Sequence, residues 1–292
     1  MRVIMYGLTF LKQKMNRRKV IIIILLILLV VLVIWLLPLK SQPKVDCNSR
    51  KENVSLSFIN YEEEALPLLI GDKASQLINH SAYKLSYNKD YKVPNWVFYE
   101  LLREELNGEA ERSNKFRPDP FISSLESASL KDYQKSGYDR GHIAPAADFN
   151  WNSEAKDESF FLSNMCPQTP SFNRGIWKRL EEQVRDWAAR DSAICVVAGP
   201  VLPFSAIEEY QSIGTGRVIV PKLFYKVILS AFRNKPCMIG FVMPNDNTID
   251  NLQSFAVSID SIESLTQIDF FSILPDTLEN KLESSFDLND WF

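Results

Sequence analysis

The chain has 292 residues, 46% of them hydrophobic and 24% charged, with a formal net charge of −3. This composition excludes an intrinsically disordered chain and requires a packed core. The first 42 residues hold seven Lys and Arg and no acid, so the rest is acidic, with 26 basic against 36 acidic residues, which excludes a grip on nucleic acid through its overall field.

In chain order, the first feature is Val20–Leu37, an uninterrupted run of 18 apolar residues. As a helix it would be about 27 Å long, enough to cross a bilayer. The Pro38-Leu39-Lys40 that comes next lacks the small-x-small pattern of a signal-peptide cleavage site, so the run predicts an uncleaved anchor. Lys12, Lys14, Arg17, Arg18 and Lys19 precede it, and the positive-inside rule then puts residues 1–19 in the cytoplasm. The expectation is a single-pass membrane protein whose main domain is extracytoplasmic, either periplasmic or extracellular. Residues 38–53 are polar with two prolines and read as a linker, leaving 54–292 as the globular domain.

Tyr83–Tyr87 alternates as a strand does, and Pro94–Leu102 is bulky enough to favour a strand. His80 reads as a hydrogen-bonded residue of a loop or strand edge. Arg112–Pro120 reads as a loop. From Asn173 to Arg190 the apolar positions Trp177, Leu180, Val184, Trp187 and Ala188 recur at steps of mostly three and four, predicting one amphipathic helix. Ala193–Val201, Arg217–Leu229 and Met238–Met243 read as buried strands, and Ser261–Phe292 as one or two helices with exposed acids. Strands and helices without regular βαβ alternation predict an α+β domain. Cys47, Cys166, Cys195 and Cys237 show no CxxC spacing, so no zinc site is expected, while one or two disulfides are open to an exported domain. Cys166 reads as a small buried side chain, with a nucleophile as the alternative.

The chemistry concentrates in Asp139-Arg140-Gly141-His142. An imidazole is the side chain whose ordinary titration falls near neutral pH, and a forked guanidinium suits phosphate oxygens. A second polar cluster lies downstream, Ser163-Asn164-Met165-Cys166-Pro167-Gln168, then Asn173 and Trp177-Lys178-Arg179-Leu180-Glu181. On a regular helix, Asn173 and Glu181 would stand about 12 Å apart along the axis and about 80° around it. They could not both ligate one ion directly, but an amide ligand, an ion, a water and a carboxylate together span that distance. Asn173 equally suits a helix N-cap and Glu181 a solvated face.

Taken together, Asp139-Arg140-Gly141-His142, Ser163-Asn164-x-x-Pro167-Gln168, Asn173, Trp177 and Leu180-Glu181 resemble the DNA/RNA non-specific endonuclease family of ββα-metal nucleases. The likeness runs from about Asn79 through the Phe116-x-x-Asp119 loop and Gly199-Pro200 to the final helices. It implies a central, mainly antiparallel sheet flanked by helices, here preceded by one transmembrane helix. It also implies hydrolysis of phosphodiester bonds in DNA, RNA or both to 5′-phosphate products, with Mg2+ or Mn2+ as cofactor.

In that reading His142 is the general base, Asn173 the direct metal ligand and Glu181 a ligand through water, while Arg140 and Arg112 steady transition-state charge. Asp139 and Asn164 support the arrangement. The expected partners are nucleic acid and, through residues 20–37, a membrane, with a homodimer left open. The rivals are an inactive nucleic-acid-binding descendant and a metal-dependent phosphodiesterase on small or lipid-linked substrates.

Overall fold

In the computed structural model, which describes residues 66–69, 75–111, 115–203, 210–233 and 235–292, seven strands lie side by side in the order in which the chain makes them. They are Ser75–Asn79, Lys84–Asn88, Val93–Leu102, Ala193–Pro200, Leu223–Ser230, Cys237–Pro244 and Ala256–Val257. Every neighbouring pair is antiparallel. The α+β class and the antiparallel sheet expected from the sequence are therefore present.

Each face of the sheet is covered, which is why a central strand such as Ala193–Pro200 is apolar and buried along its whole length rather than alternating with water. Side chains of successive residues point to opposite faces. Val196, Ala198 and Ile228 pack with Trp177, Leu180, Val184 and Trp187 of the helix Lys178–Asp191 and the residues leading into it. On the other face, Cys195, Val197 and Val227 pack with Ile259, Ile262 and Leu282 of the helices Ile259–Thr266 and Asp276–Ser284. Acids crowd this second layer. Burial first, then neighbouring carboxylates, push Glu283 up to about 8 and Glu263 up to about 7, a backbone hydrogen bond holding Glu263 back.

The predicted strand Arg217–Leu229 divides into Val218–Ile219 and Leu223–Ser230. Pro221 lies in the gap, and a proline cannot donate to a sheet ladder. The strand Ser75–Asn79 escaped the sequence pattern, its apolar Leu77 being exposed and Ile78 buried.

The membrane helix expected over residues 20–37, with the segments 1–19 and 38–53 on either side, lies outside the described residues. Among the described residues no helix is long and apolar enough to cross a membrane. The longest of these, Lys178–Asp191, has 14 residues and a charged face; at 1.5 Å per residue it reaches about 21 Å, short of the roughly 30 Å that a bilayer core requires.

Candidate active site

Between the third and fourth strands of the sheet the chain leaves it, and this excursion builds the site. Asp139–His142 pairs antiparallel with Met165–Gln168 as a two-stranded ribbon, with His142 opposite Met165 and Gly141 opposite Cys166. A Cβ at Gly141 would lie 2.0 Å from Gln168 Oε1, and the Gln168 side chain is fully buried, so this position has room only for glycine. Arg140 and His142, two residues apart, share a face of their strand. The His142 ring stands perpendicular to that of Phe160 (centroids 5.0 Å apart), and the Arg140 guanidinium lies 4.4 Å from the centroid of Phe116.

The helix that meets this ribbon is not regular. Thr169, not Asn173, caps its start by accepting from Phe172 N–H, and Pro170 takes the first helical position. Asn173–Trp177 then forms a π turn with Gly175 outside helical geometry, before the α-helix resumes at Lys178. Such turns carry an extra residue and rotate the helix beyond them, so the separation of Asn173 and Glu181 expected from a regular helix does not apply. Trp177 Nε1 donates to the carbonyl of His142 at 3.2 Å, which ties the helix to the ribbon at the proposed base.

Ribbon and helix enclose a cavity of about 610 Å3 lined by Asp139, Arg140, His142, Asn173 and Glu181 among others. Five sequence-predicted residues from separate segments are thus brought together. Lys156, Arg174, Lys178 and Arg185 join them on the wall. With Arg140 that makes five basic side chains against two acidic ones, so the acidic chain concentrates positive charge locally where its overall field supplies none.

Asp139 is the organiser. Its carboxylate accepts from Asn173 Nδ2 at 2.9 Å and from Arg174 Nε and Nη2 at 2.8 and 2.7 Å. Partial burial opposes its charge, but these donors hold the carboxyl below its ordinary value. Because the amide nitrogen of Asn173 is committed to Asp139, its carbonyl oxygen is the atom that offers lone pairs elsewhere.

Glu181 is half-buried beside a network of charges formed by Arg185 of its own helix, Asp148 of the turn Ala146–Phe149 and Lys226 of the sheet. Burial pushes its carboxyl up to about 8; Lys226 and Arg185 pull the other way, and Asp148 adds to the rise. Asp148 is buried and accepts from Arg185 Nη1 and from Tyr99 O–H, each at 2.9 Å. Lys226 is fully buried, its ammonium 4.6 Å from the centroid of Trp177, and desolvation lowers its pKa. The carbonyl oxygen of Asn173 and the carboxyl oxygens of Glu181 are hard donors, a set suited to a divalent cation such as Mg2+, whose charge would offset the burial that disfavours the Glu181 carboxylate.

One expected residue, Asn164, stands behind the cavity rather than on its wall. Asn164 is fully buried and does not line the cavity: its Oδ1 accepts from Ala144 N–H, and its Nδ2 donates to the carbonyls of Ala144 and Ser159, all at 2.9 Å. It clamps the backbone two residues past His142. Replacing Asn164 with alanine should strand these buried groups, costing about 3 kcal/mol and lowering Tm on the order of 10 °C in a thermal melt. Arg112 lies outside the described residues. His80 is buried and bonded through Nε2 to Asp119 at 2.9 Å, with Ser163 Oγ donating to the same carboxylate. That pair anchors the loop that carries Phe116. Burial opposes protonation of His80, but Asp119 and Glu158 outweigh it and raise its pKa.

Cys166 is buried and its thiol is pushed well up by desolvation, so it is not the nucleophile entertained for it. Cys166, Cys195 and Cys237 are free thiols, so no disulfide joins the described cysteines.

Residues 69–277, more than half of the chain, match the family model described as DNA/RNA non-specific endonuclease. The chain belongs to the DNA/RNA non-specific endonuclease family.

Among the family's members, the chain is 38% identical to human mitochondrial nuclease EXOG over 222 residues, covering 72% of this chain and 60% of that protein. It is 36% identical to human mitochondrial endonuclease G, covering 65% and 67%, and 34% identical to a nuclease of Nostoc, covering 72% and 78%. A chain in the crystal structure of the EndoG/EndoGI complex superposes with a TM-score of 0.64 at 35% identity, covering 69% of this chain and 88% of that one. The chain spans about three fifths of the length of the EXOG proteins it matches.

These relatives correct the expected localisation. The EXOG and endonuclease G proteins are named as mitochondrial, and against these relatives the expectation of a single-pass protein holding its nuclease domain in the periplasm or outside the cell is not upheld.

Four residues on or beneath the cavity wall, Lys156 among them, escaped the sequence reading. Arg185 stands four residues after Glu181, the spacing that stacks side chains on one helix face. Arg174 adjoins Asn173. Lys226 interrupts the apolar run Leu223-Phe224-Tyr225-Lys226-Val227-Ile228-Leu229, and a charge in the middle of a buried strand was the available signal.

Proposed function

We propose that the chain is a Mg2+-dependent endonuclease that hydrolyses phosphodiester bonds in DNA, RNA or both and leaves 5′-phosphate ends, with Mn2+ able to substitute. The observation that carries this reading is the convergence of Arg140 and His142 from the ribbon with Asn173 and Glu181 from the helix on one basic cavity, in a chain of this family.

His142 takes the proton from the water that attacks phosphorus, while its backbone is held by Trp177 and its ring by Phe160 and Phe116. Arg140 binds the phosphate oxygens and balances the charge that grows on them in the transition state. Asn173 would hold the divalent cation directly, through the carbonyl oxygen that Asp139 orients, and Glu181 would hold it through water. When bound, that cation supplies Lewis-acid charge stabilisation at the phosphate. Lys156, Lys178 and Arg185 add the local positive field that draws a polyanion to an otherwise acidic domain.

The test is incubation of the purified chain with supercoiled plasmid and with structured RNA in Mg2+, Mn2+ or chelator. Nicking that stops with chelator, and fragments that a ligase accepts without prior phosphorylation, are expected. Salt-sensitive binding with no cleavage in any metal would replace the enzyme with an inactive binding protein.

A further inference from the structure

On the sheet face opposite the cavity, five carboxylates converge where the chain's last helices meet. Asp260 and Glu263 stand three residues apart on Ile259–Thr266, Glu279 and Glu283 four apart on Asp276–Ser284, and Asp269 lies on the short strand Ile268–Asp269. These spacings put each helical pair on one side of its helix. Oxygens of Asp260, Glu263 and Glu283 lie within 4.8 Å of one another, and so do those of Asp269, Glu279 and Glu283. Glu283 belongs to both trios.

Crowded acids at a solvated surface would mean little. Here Glu283 is only 7% exposed, and its Oε1 and that of Glu279 are buried with no hydrogen-bond partner among the described residues. Orphaned buried carboxylate oxygens cost the full desolvation of the group, and an uncompensated like charge adds to that cost. Elsewhere in this domain the buried acids are ion-paired or hydrogen-bonded, as Asp148 is to Arg185, Asp119 to His80 and Asp132 to Ser129 and the Gly216 N–H. Among the described residues none of these five makes an ion pair. Glu263 is further fixed in orientation, its Oε1 accepting from Phe270 N–H at 2.9 Å.

We propose that this cluster is a structural Ca2+ site, centred on Glu283, that pins the two C-terminal helices together. Oxygen-only donors of high negative charge select a hard cation. Ca2+ accepts six to eight oxygens at about 2.4 Å, so ligands on opposite sides of it lie up to about 4.8 Å apart. Mg2+ demands a tighter octahedron near 2.1 Å and keeps its waters, which fits a cluster of this breadth less well. The site is separate from the cavity, and it stands or falls independently of the proposed nuclease chemistry.

The experiment uses the full chain carrying Asn173→Ala, which removes the amide ligand proposed for the cavity, and follows thermal unfolding and calorimetry with Ca2+ as the only divalent ion. Saturating Ca2+ is expected to raise Tm by about 5 °C with a stoichiometry near one. Adding Glu283→Gln should abolish the shift and weaken binding at least about 30-fold, because both trios lose their shared ligand. The pair Asp260→Asn and Glu279→Gln, one ligand from each trio, should weaken binding less and serves if the Glu283 variant does not fold. Absence of a Ca2+-dependent shift, or a shift that survives both sets of substitutions, overturns the proposal.

Discussion

Replacing His142 with alanine is expected to lower kcat on plasmid DNA by about a thousandfold while KM stays within roughly twofold. A positioned base contributes between about 10² and 10⁴ in rate, and a thousandfold corresponds to about 4 kcal/mol of transition-state stabilisation. Substrate binding should survive because the basic wall of the cavity, Arg140, Lys156, Arg174, Lys178 and Arg185, is untouched. Stability should also survive, since His142 is only half-buried and the ribbon is held by backbone pairing and by the bond from Trp177 to the His142 carbonyl, which alanine retains. Steady-state cleavage and a thermal melt on the same preparation separate the two effects. Cleavage within tenfold of the parent, by a folded variant, would remove His142 from the chemistry.

The second large effect is expected at Asn173, and Asp139 distinguishes its cause. Asn173→Ala should reduce activity by about a thousandfold at any Mg2+ concentration, because the amide oxygen proposed to hold the cation is gone. Asp139→Ala should cost about 10- to 100-fold, the usual penalty for losing a group that orients a ligand, and excess Mg2+ should recover part of it. The asymmetry comes from geometry: Asp139 does not need to touch the ion, yet it fixes which end of the Asn173 amide faces away from it. It also immobilises Arg174 through two short bonds. Activity as a function of Mg2+ concentration reads the difference. If the Asp139 variant lost as much as the Asn173 variant and ignored added metal, the orienting role would be wrong.

Much of the site was legible because its parts sit close together in sequence and differ in chemical type. Asp139-Arg140-Gly141-His142 stands out through a rare imidazole beside a cation, and Asn173 and Glu181 through their place in a family pattern. Asn164 was expected as a supporting residue, but its partners could not be read: its side chain bonds to the backbone of Ala144 and Ser159. Polar side chains that satisfy buried backbone and those that meet substrate look alike in one dimension. His80 carried the same lesson: its partner Asp119 is 39 residues away, so nothing local revealed why it is there.

The amino-acid order alone made most of the core strands and five residues of the cavity wall legible, because apolar period and residue type are local properties that folding does not alter. Strands such as Pro94–Leu102 and Ala193–Val201, and the apolar stripe of the long helix, were readable for that reason. Only the tertiary structure decided the rest. It turned the Asn173 amide by bonding it to Asp139 across 34 residues, placed a π turn where a regular helix was expected, and set Lys226 beneath Glu181 from a strand far along the chain. It also gathered the basic residues on one face of the sheet and left five acids together on the other. Such features depend on distances between segments, and net charge and periodicity carry no information about distance.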